Sequence, residues 1–165
     1  MIEVILEMYD KRKDAKEYFN FYLNPDSKML REKYEKKIFS EIKRSKYGRS
    51  KARITAIRRN LAEFESFSPD TDEIFKLYLN TIANLLYHER LLKYSATLLT
   101  GTKELVLKYI DLGIKEDRLE RRLKEIDELI GNEKICRSFM HNSIGVVIED
   151  KLKNENRLSG NRLCR

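Results

Sequence analysis

Apolar residues recur every three or four positions along most of this chain, which is the period of an amphipathic α-helix. The pattern is clearest in residues 27–43 and 115–130. Its apolar positions are Leu30, Tyr34, Ile38 and Ile42 in the first segment, and Leu119, Leu123, Ile126 and Ile130 in the second. Val146-Val147-Ile148 alone resembles a strand, but the sequence offers no second such run to pair with it. The periodicity therefore predicts an all-α protein.

Length and turn residues favour a single domain of six to eight helices, arranged as an irregular helical bundle or as stacked helix pairs. A chain of 165 residues matches the usual size of one domain. Its six glycines and two prolines are too few for the many tight turns of an all-β fold. We expect the domain to span residues 1–152, and residues 153–165 to form a flexible C-terminal tail. Predicted helices cover residues 2–10, 16–23, 27–43, 50–66, 69–99 (with a further break allowed near 94–97), 102–113, 115–130 and 133–151.

Capping residues predict several of the helix ends. An N-cap residue accepts a hydrogen bond from the first turn, proline suits the first helical position, and glycine suits the position after the last turn. By these rules we predict N-caps at Ser50, Ser68 (with Pro69 as first helical residue) and Thr102, and a C-terminal glycine at Gly113. The helix over 133–151 is apolar over most of its circumference, which predicts a central position in the core.

The sequence predicts a cytoplasmic protein without a membrane segment. No apolar run approaches the ~18–20 residues that cross a bilayer. The first ten residues include Glu3, Glu7 and Asp10 and lack the basic region of a signal peptide. Cys136 and Cys164 do not form a C-x-x-C pair, and because a chain without export signals stays in a reducing compartment, we expect both to remain reduced.

Four aromatic residues are crowded into residues 18–22: Tyr18, Phe19, Phe21 and Tyr22. Aromatic residues also favour strands, but the neighbouring segments are helical, so we predict a helix that ends before Pro25. We interpret the four rings as core residues in preference to a platform for stacking bases.

Neither histidine matches a metal or catalytic motif. A zinc-protease H-E-x-x-H motif beginning at His88 would need a second histidine where Leu92 stands. The E-x-x-H motif of di-iron bundles would need a glutamate three residues before a histidine, where Leu85 precedes His88 and Ser138 precedes His141. We therefore interpret both as packing or surface histidines, and predict no metal and no cofactor.

Other motifs are equally weak evidence for chemistry. Gly101-Thr102-Lys103 resembles the end of a phosphate-binding loop, but Ala96 stands where the upstream glycine belongs. The acidic groups at residues 32–35 and 125–128 are interleaved with lysine and arginine, which is typical of solvated helix faces. We predict no catalytic residue, and an enzyme is the disfavoured class.

The strongest asymmetry of the chain is its charge. Residues 43–59, called the basic stretch below, contain eight basic residues and no acidic one. The rest of the chain is nearly neutral, so this stretch accounts for the whole formal charge of +7. Its first half is rich in glycine and serine and predicts a loop; its second half opens a helix with apolar positions Ile54, Ile57, Leu61 and Phe64. The basic residues are Lys43, Arg44, Lys46, Arg49, Lys51, Arg53, Arg58 and Arg59.

Two interpretations of the basic stretch remain open. Its cations could contact phosphates or carboxylates of a partner, with Tyr47 available for stacking. Alternatively, they form a solvated loop that pairs with acidic helix faces of the same domain. A helix-turn-helix across the two flanking helices is disfavoured, because the connecting loop is longer than the usual three or four residues.

Three features stand out beside the helical pattern: residues 16–25, read as KEYFNFYLNP, the basic loop that leads into a helix, and Phe139-Met140-His141-Asn142 near the C-terminus. Together they resemble an uncharacterised family of bacterial all-helical proteins. The family's aromatic motif is similar to the first segment, whereas its C-terminal motif reads closer to GFHD than to FMHN. The resemblance covers most of residues 2–152 and implies an all-α domain of unknown function.

We therefore predict a non-catalytic interaction module whose basic stretch contacts an acidic partner, either a protein or a nucleic acid. The alternative is a sequence-independent nucleic-acid-binding protein that uses the same residues. The sequence does not predict an oligomeric state.

Overall fold

The computed structural model describes residues 13–43, 52–89, 92, 95–131 and 139–160. The described part folds into seven α-helices and contains no strand, which confirms the all-α prediction. The helices are α1 (Lys13–Leu23), α2 (Ser27–Ile42), α3 (Ile54–Ser66), α4 (Thr71–Tyr87), α5 (Ala96–Lys115), α6 (Leu119–Ile130) and α7 (Phe139–Gly160). Predictions for residues 2–10, 44–51 and 132–138, and for both cysteines, lie outside these residues.

Helices α4 and α5 form the centre of a compact bundle. Helix α2 packs beside α4 and across α3, while α6 and α7 pack on α5. Helices α2 and α4 run parallel, since Arg31 meets Glu73 near their starts and Phe39 meets His88 near their ends. The C-termini of α2 and α4 and the N-terminus of α3 thus share one end of the bundle, called the basic end below.

The predicted apolar stripes form the core. Leu30, Tyr34, Ile38 and Ile42 of α2 are all buried, as are the four apolar residues predicted for α3. Burying one such side chain stabilises the fold by about 1.5–3 kcal/mol. The stripes hold α2 and α3 against the central helices, and thereby fix where the flanking polar residues lie.

Helix α1 confirms the helical prediction for residues 16–23 and its end before Pro25, but the interpretation of its aromatic residues as core is largely wrong. Tyr18 is 47% exposed and Tyr22 is 75% exposed. Phe21 packs against the core, edge-on to Phe67 with ring centroids 5.7 Å apart, and the Tyr18 ring also meets Phe67 at 5.6 Å. Within the described residues, α1 therefore lies at the periphery and meets the core at Phe67.

Helix α4 is shorter at both ends than predicted. Ser68 adopts a positive φ of 50°, which places Ser68 and Pro69 in the turn that follows α3, and Asp70 takes the N-cap position. The helix ends at Tyr87 instead of residue 99. The break allowed near residues 94–97 is present, because the Ser95 side chain caps α5 by accepting a hydrogen bond from the Leu98 N–H at 3.1 Å.

The helix boundaries predicted between residues 99 and 102 and at Gly113 lie inside α5. Thr102 does not cap a new helix: it is buried, and its hydroxyl donates to the Leu98 carbonyl at 2.8 Å. A Cβ on Gly101 would lie 2.2 Å from Ile54 Cγ2, and one on Gly113 would lie 3.2 Å from Arg122 Cγ. Both glycines allow a neighbouring side chain to approach the helix closely.

The last two helices also differ from the predicted boundaries. Asp117 has a positive φ of 54°, so α6 begins at Leu119 and not at residue 115. Helix α7 continues to Gly160, beyond the predicted end at residue 151. It packs on α5 through Met140, Ile144 and Ile148, while Val146 is 59% exposed, so the prediction of a central position is wrong.

Among the described helices, none combines the length and the apolar character that a membrane span needs.

Candidate functional site

The basic stretch is described at Lys43 and from Ala52 onward. Its described cations are therefore Lys43, Arg53, Arg58 and Arg59, and all four are exposed. Arg44, Lys46, Arg49 and Lys51, together with Tyr47 and the predicted cap Ser50, lie outside the described residues. Helix α3 begins at Ile54, so the predicted start at residue 50 is three to four residues early.

A backbone hydrogen bond joins the last turn of α2 to the residue that precedes α3. The Arg53 N–H donates to the Glu41 carbonyl of α2 at 3.1 Å, and the Lys43 N–H donates to the Phe39 carbonyl at 3.0 Å. The chain therefore leaves α2 and enters α3 at nearly the same place. This closure anchors Lys43 and Arg53 together at the basic end.

Two of the four described cations pair with acids of the same domain. Arg53 Nη1 lies 3.4 Å from Glu41 Oε2, and Arg58 pairs with Glu104 of α5. The Arg53 and Arg58 side chains remain 49% and 54% exposed. Exposed pairs of this kind contribute about 0–1 kcal/mol, because water and salt screen them. The internal pairing predicted by the second interpretation thus exists, but it is weak.

The other two described cations lack a carboxylate partner within the described part. Lys43 Nζ lies 4.7 Å from the centroid of the Phe39 ring, a cation–π contact. Arg59 projects from α3 into solvent without an ion pair there. Both charges are available to a binding partner.

The N-terminus of α3 adds to the positive potential at this end. Arg53 is its N-cap residue, no side chain caps the first turn, and that turn contains no acidic residue. The first N–H groups of a helix lack intrahelical partners and carry a partial positive charge. The helix start therefore reinforces the cations beside it.

His88 lies at the same end and is buried against aromatic rings. Its ring centroid is 5.8 Å from that of Phe39 and 4.9 Å from that of Tyr87, both in edge-on geometry. Burial, and then the nearby charge of Lys43, lower the pKa of His88 below its ordinary value, so the ring is neutral at pH 7. The structure agrees with a packing role. The side chain of His141 lies outside the described part.

A buried arginine that the sequence analysis did not single out joins three helices. Arg122 of α6 is 3% exposed and lies over the Phe75 ring of α4, 3.6 Å from its centroid. Its guanidinium donates to Asp72 at 3.0 Å and to both oxygens of Glu125 at 2.8–2.9 Å. The Tyr109 hydroxyl of α5 donates to Glu125 at 2.5 Å.

This arginine cluster has the character of a structural contact. Burial alone would raise the pKa of Glu125, but hydrogen bonds from Tyr109 and Arg122 outweigh it and hold the pKa below its ordinary value. Burial and the bond to Glu125 raise the pKa of Tyr109. Glu125 is thus an ionised acceptor and Tyr109 a neutral donor at neutral pH. Their hydrogen bond holds α6 against α5, and neither group is in a state that readily gains or loses a proton.

The remaining motifs lead to no chemical site in the described part. Gly101-Thr102-Lys103 is helical, so its N–H groups are not arranged as a phosphate-binding loop. Glu35 is engaged by Arg31 and by the Asn80 side-chain amide at 2.5 Å. Within the described residues, no group of three or more histidine, cysteine, aspartate or glutamate side chains is placed to hold a metal ion.

Comparisons of the chain with protein-family models, with curated proteins and with solved structures found no match. The resemblance carried by residues 16–25 and 139–142 stays a prediction from the sequence.

Proposed function

We propose that this protein is a non-catalytic interaction module of the cytoplasm, and that its basic end contacts an acidic partner. The observation that carries the proposal is the closure between Arg53 N–H and the Glu41 carbonyl at 3.1 Å. It supports the view that the cations of the basic stretch act together, because it holds Arg53, at the start of α3, next to the end of α2 that carries Lys43.

The charge balance at this end also supports the proposal. The basic stretch contains eight cations, and the carboxylates that pair with its described members are Glu41 and Glu104. Exposed ion pairs exchange partners at small cost. A polyanion that contacts Arg53 and Arg58 therefore loses little by displacing these two carboxylates, and it gains Lys43 and Arg59 as well.

The experiment is a binding titration of the full chain with three polyanions: oligothymidylate, duplex DNA and poly-glutamate. The test variant is Lys43→Ala/Arg58→Ala/Arg59→Ala. The matched control is Lys28→Ala/Lys115→Ala/Lys124→Ala, which removes three exposed cations that lie outside the basic stretch, on α2, α5 and α6. Each titration is run at about 50 mM and about 200 mM salt, a range over which phosphate contacts weaken strongly.

We expect binding of at least one polyanion, with an affinity that falls steeply as salt rises. For a single-stranded nucleic acid, the test variant should reduce the slope of log K against log salt by about 2, because each phosphate contact contributes about 0.7. The control variant should leave the slope nearly unchanged. Absence of binding to all three probes at low salt contradicts the proposal. An equal loss of affinity in the test and control variants contradicts the assignment of the binding surface to the basic end.

A further inference from the structure

We propose that the partner is a single-stranded nucleic acid whose unpaired bases stack on an aromatic platform formed by Phe39, Tyr87 and His88. This inference rests on the proposed function, since the phosphates would contact the basic end described above. It goes further because it adds base-stacking residues from α2 and α4 and names the partner class.

The platform exposes aromatic surface that the fold does not use. Tyr87 is 56% exposed and Phe39 is 38% exposed, although each lies in contact with the buried ring of His88. The buried His88 ring thus packs against both exposed rings and restricts their movement. Aromatic side chains with fixed orientation bind a flat ligand at low entropic cost, because few rotamers have to be frozen.

Positive charge lies directly against the platform. Lys43 Nζ is 4.7 Å from the Phe39 ring centroid, and Lys43 is also the first residue of the basic stretch. The two acids nearest in sequence are engaged: Glu41 pairs with Arg53, and Glu89 accepts a hydrogen bond from the Met140 N–H at 3.1 Å. His88 is neutral, so it neither attracts nor repels phosphate at pH 7.

This combination favours single strands over other polyanions. Proteins that bind single-stranded nucleic acid place cations along the backbone and aromatic rings against the bases. The bases of a duplex are stacked on each other and do not expose their faces. An acidic peptide would need the cations but would gain no specific advantage from flat rings. Tyr87 and Lys43 both lie close to His88, so an unpaired base stacked on Tyr87 with its phosphate near Lys43 matches this arrangement best.

An open groove continues from the platform between α2 and α4. It has a volume of about 570 Å³, and Phe39, Thr81 and Asn84 line it together with two acidic and two basic residues, which are Glu32, Glu35, Arg31 and Lys36. The Asn84 side-chain amide donates to the Asn80 carbonyl at 2.8 Å, which fixes the orientation of this amide in the groove. A nucleic-acid strand that leaves the platform can continue along this groove. Side-chain amides there can contact base edges without selecting a particular base sequence.

The test measures affinity of the full chain for oligothymidylate and for an abasic strand with the same number of phosphates, together with duplex DNA and poly-glutamate. The variant Tyr87→Ala removes the most exposed ring of the platform. Tyr22→Ala is the matched control, because Tyr22 is also an exposed helical tyrosine, at 75%, and lies on α1 away from the platform. Tyr87→Trp restores a stacking ring.

We expect oligothymidylate to bind more tightly than the abasic strand. Tyr87→Ala should weaken oligothymidylate binding about 5- to 150-fold, which is the loss of one stacked base. It should leave abasic-strand binding nearly unchanged. Tyr22→Ala should behave like the unmodified chain, and Tyr87→Trp should retain its affinity.

Equal affinity for the abasic strand, or no effect of Tyr87→Ala, overturns this inference while the proposed function stands. Binding of duplex DNA or poly-glutamate in preference to oligothymidylate has the same meaning. Failure of all four probes to bind at low salt overturns the proposed function itself, and this inference with it.

Discussion

Gly101 shows how one residue can set the distance between two helices. It lies within α5 and faces Ile54, the first residue of α3. The Ile54 side chain occupies the space that a Cβ on Gly101 would fill. Ile54 is buried and β-branched, so it has few ways to move aside. The contact also positions the start of α3, and therefore Arg53 at the basic end.

We predict opposite effects for the same substitution at two helical glycines. Gly101→Ala should destabilise the protein by about 1 kcal/mol or more, because overpacking costs about 1–3 kcal/mol and exceeds the helix-propensity gain. Gly145→Ala in α7 should stabilise it by about 0.5–1 kcal/mol, since no atom lies within 4 Å of the added Cβ. Urea unfolding of both variants measures the difference. A stabilising Gly101→Ala would contradict the observed packing.

The burial of Arg122 could be predicted from the sequence pattern, whereas most of its contacts could not. It stands three residues after Leu119 and four before Ile126, so it occupies the apolar stripe of α6, and an arginine in such a stripe is itself a signal of a buried ion pair. Glu125, three residues later on the same helix, could be predicted as a partner, but the partners on other helices could not. Asp72, Phe75 and Tyr109 are distant in sequence and meet Arg122 only after the helices pack.

At the scale of elements, α6 depends on charge as well as on apolar contact. Of its apolar residues, Ile126 is fully buried, while Leu119 and Leu123 are half-buried. Glu125 supplements them by accepting hydrogen bonds from Arg122 and Tyr109. Because its pKa is lowered in the folded state, its contribution is present above the ordinary glutamate pKa near 4.5 and is lost as the pH falls through the folded value.

We predict that Glu125→Gln lowers the free energy of unfolding by about 1–3 kcal/mol at pH 7, as expected for hydrogen bonds to a charged group. The difference from the unmodified chain should shrink toward zero at a pH well below 4.5, where Glu125 is itself protonated. Glu120→Gln is the control, since Glu120 is exposed on the same helix. Chemical denaturation at both pH values provides the measurement. A pH-independent difference would show that charge at Glu125 does not stabilise α6.

The helices could be predicted from periodicity, whereas their ends depend on tertiary contacts. The predicted helix over residues 27–43 matches α2 almost to the residue, because the apolar stripe and the N-cap mark the same helix start. The Asp26 side chain is that cap and accepts a hydrogen bond from the Met29 N–H at 2.8 Å. Thr102 failed as a predicted cap because Gly101 reads locally as a break but serves an interhelical contact. Tyr87 and Phe39 could not be selected as exposed, since each lies in an otherwise apolar pattern.

At the scale of the whole molecule, the chain order brings the candidate features to one end. The parallel arrangement of α2 and α4 places Phe39 beside His88, and the reversal between α2 and α3 returns Arg53 to Glu41. The opposite region holds Asp72, Glu125 and their arginines in mutual pairs. Positive charge is thus concentrated at the basic end and balanced in the α6 region.

The most direct test of this account is a map of backbone amide chemical shifts during titration with oligothymidylate. We expect the signals of Lys43, Arg53, Thr55 and Tyr87 to shift together and saturate, while those of Leu119–Ile130 remain in place. A saturable shift centred on α6, or the absence of any shift at Lys43 and Arg53, would contradict it.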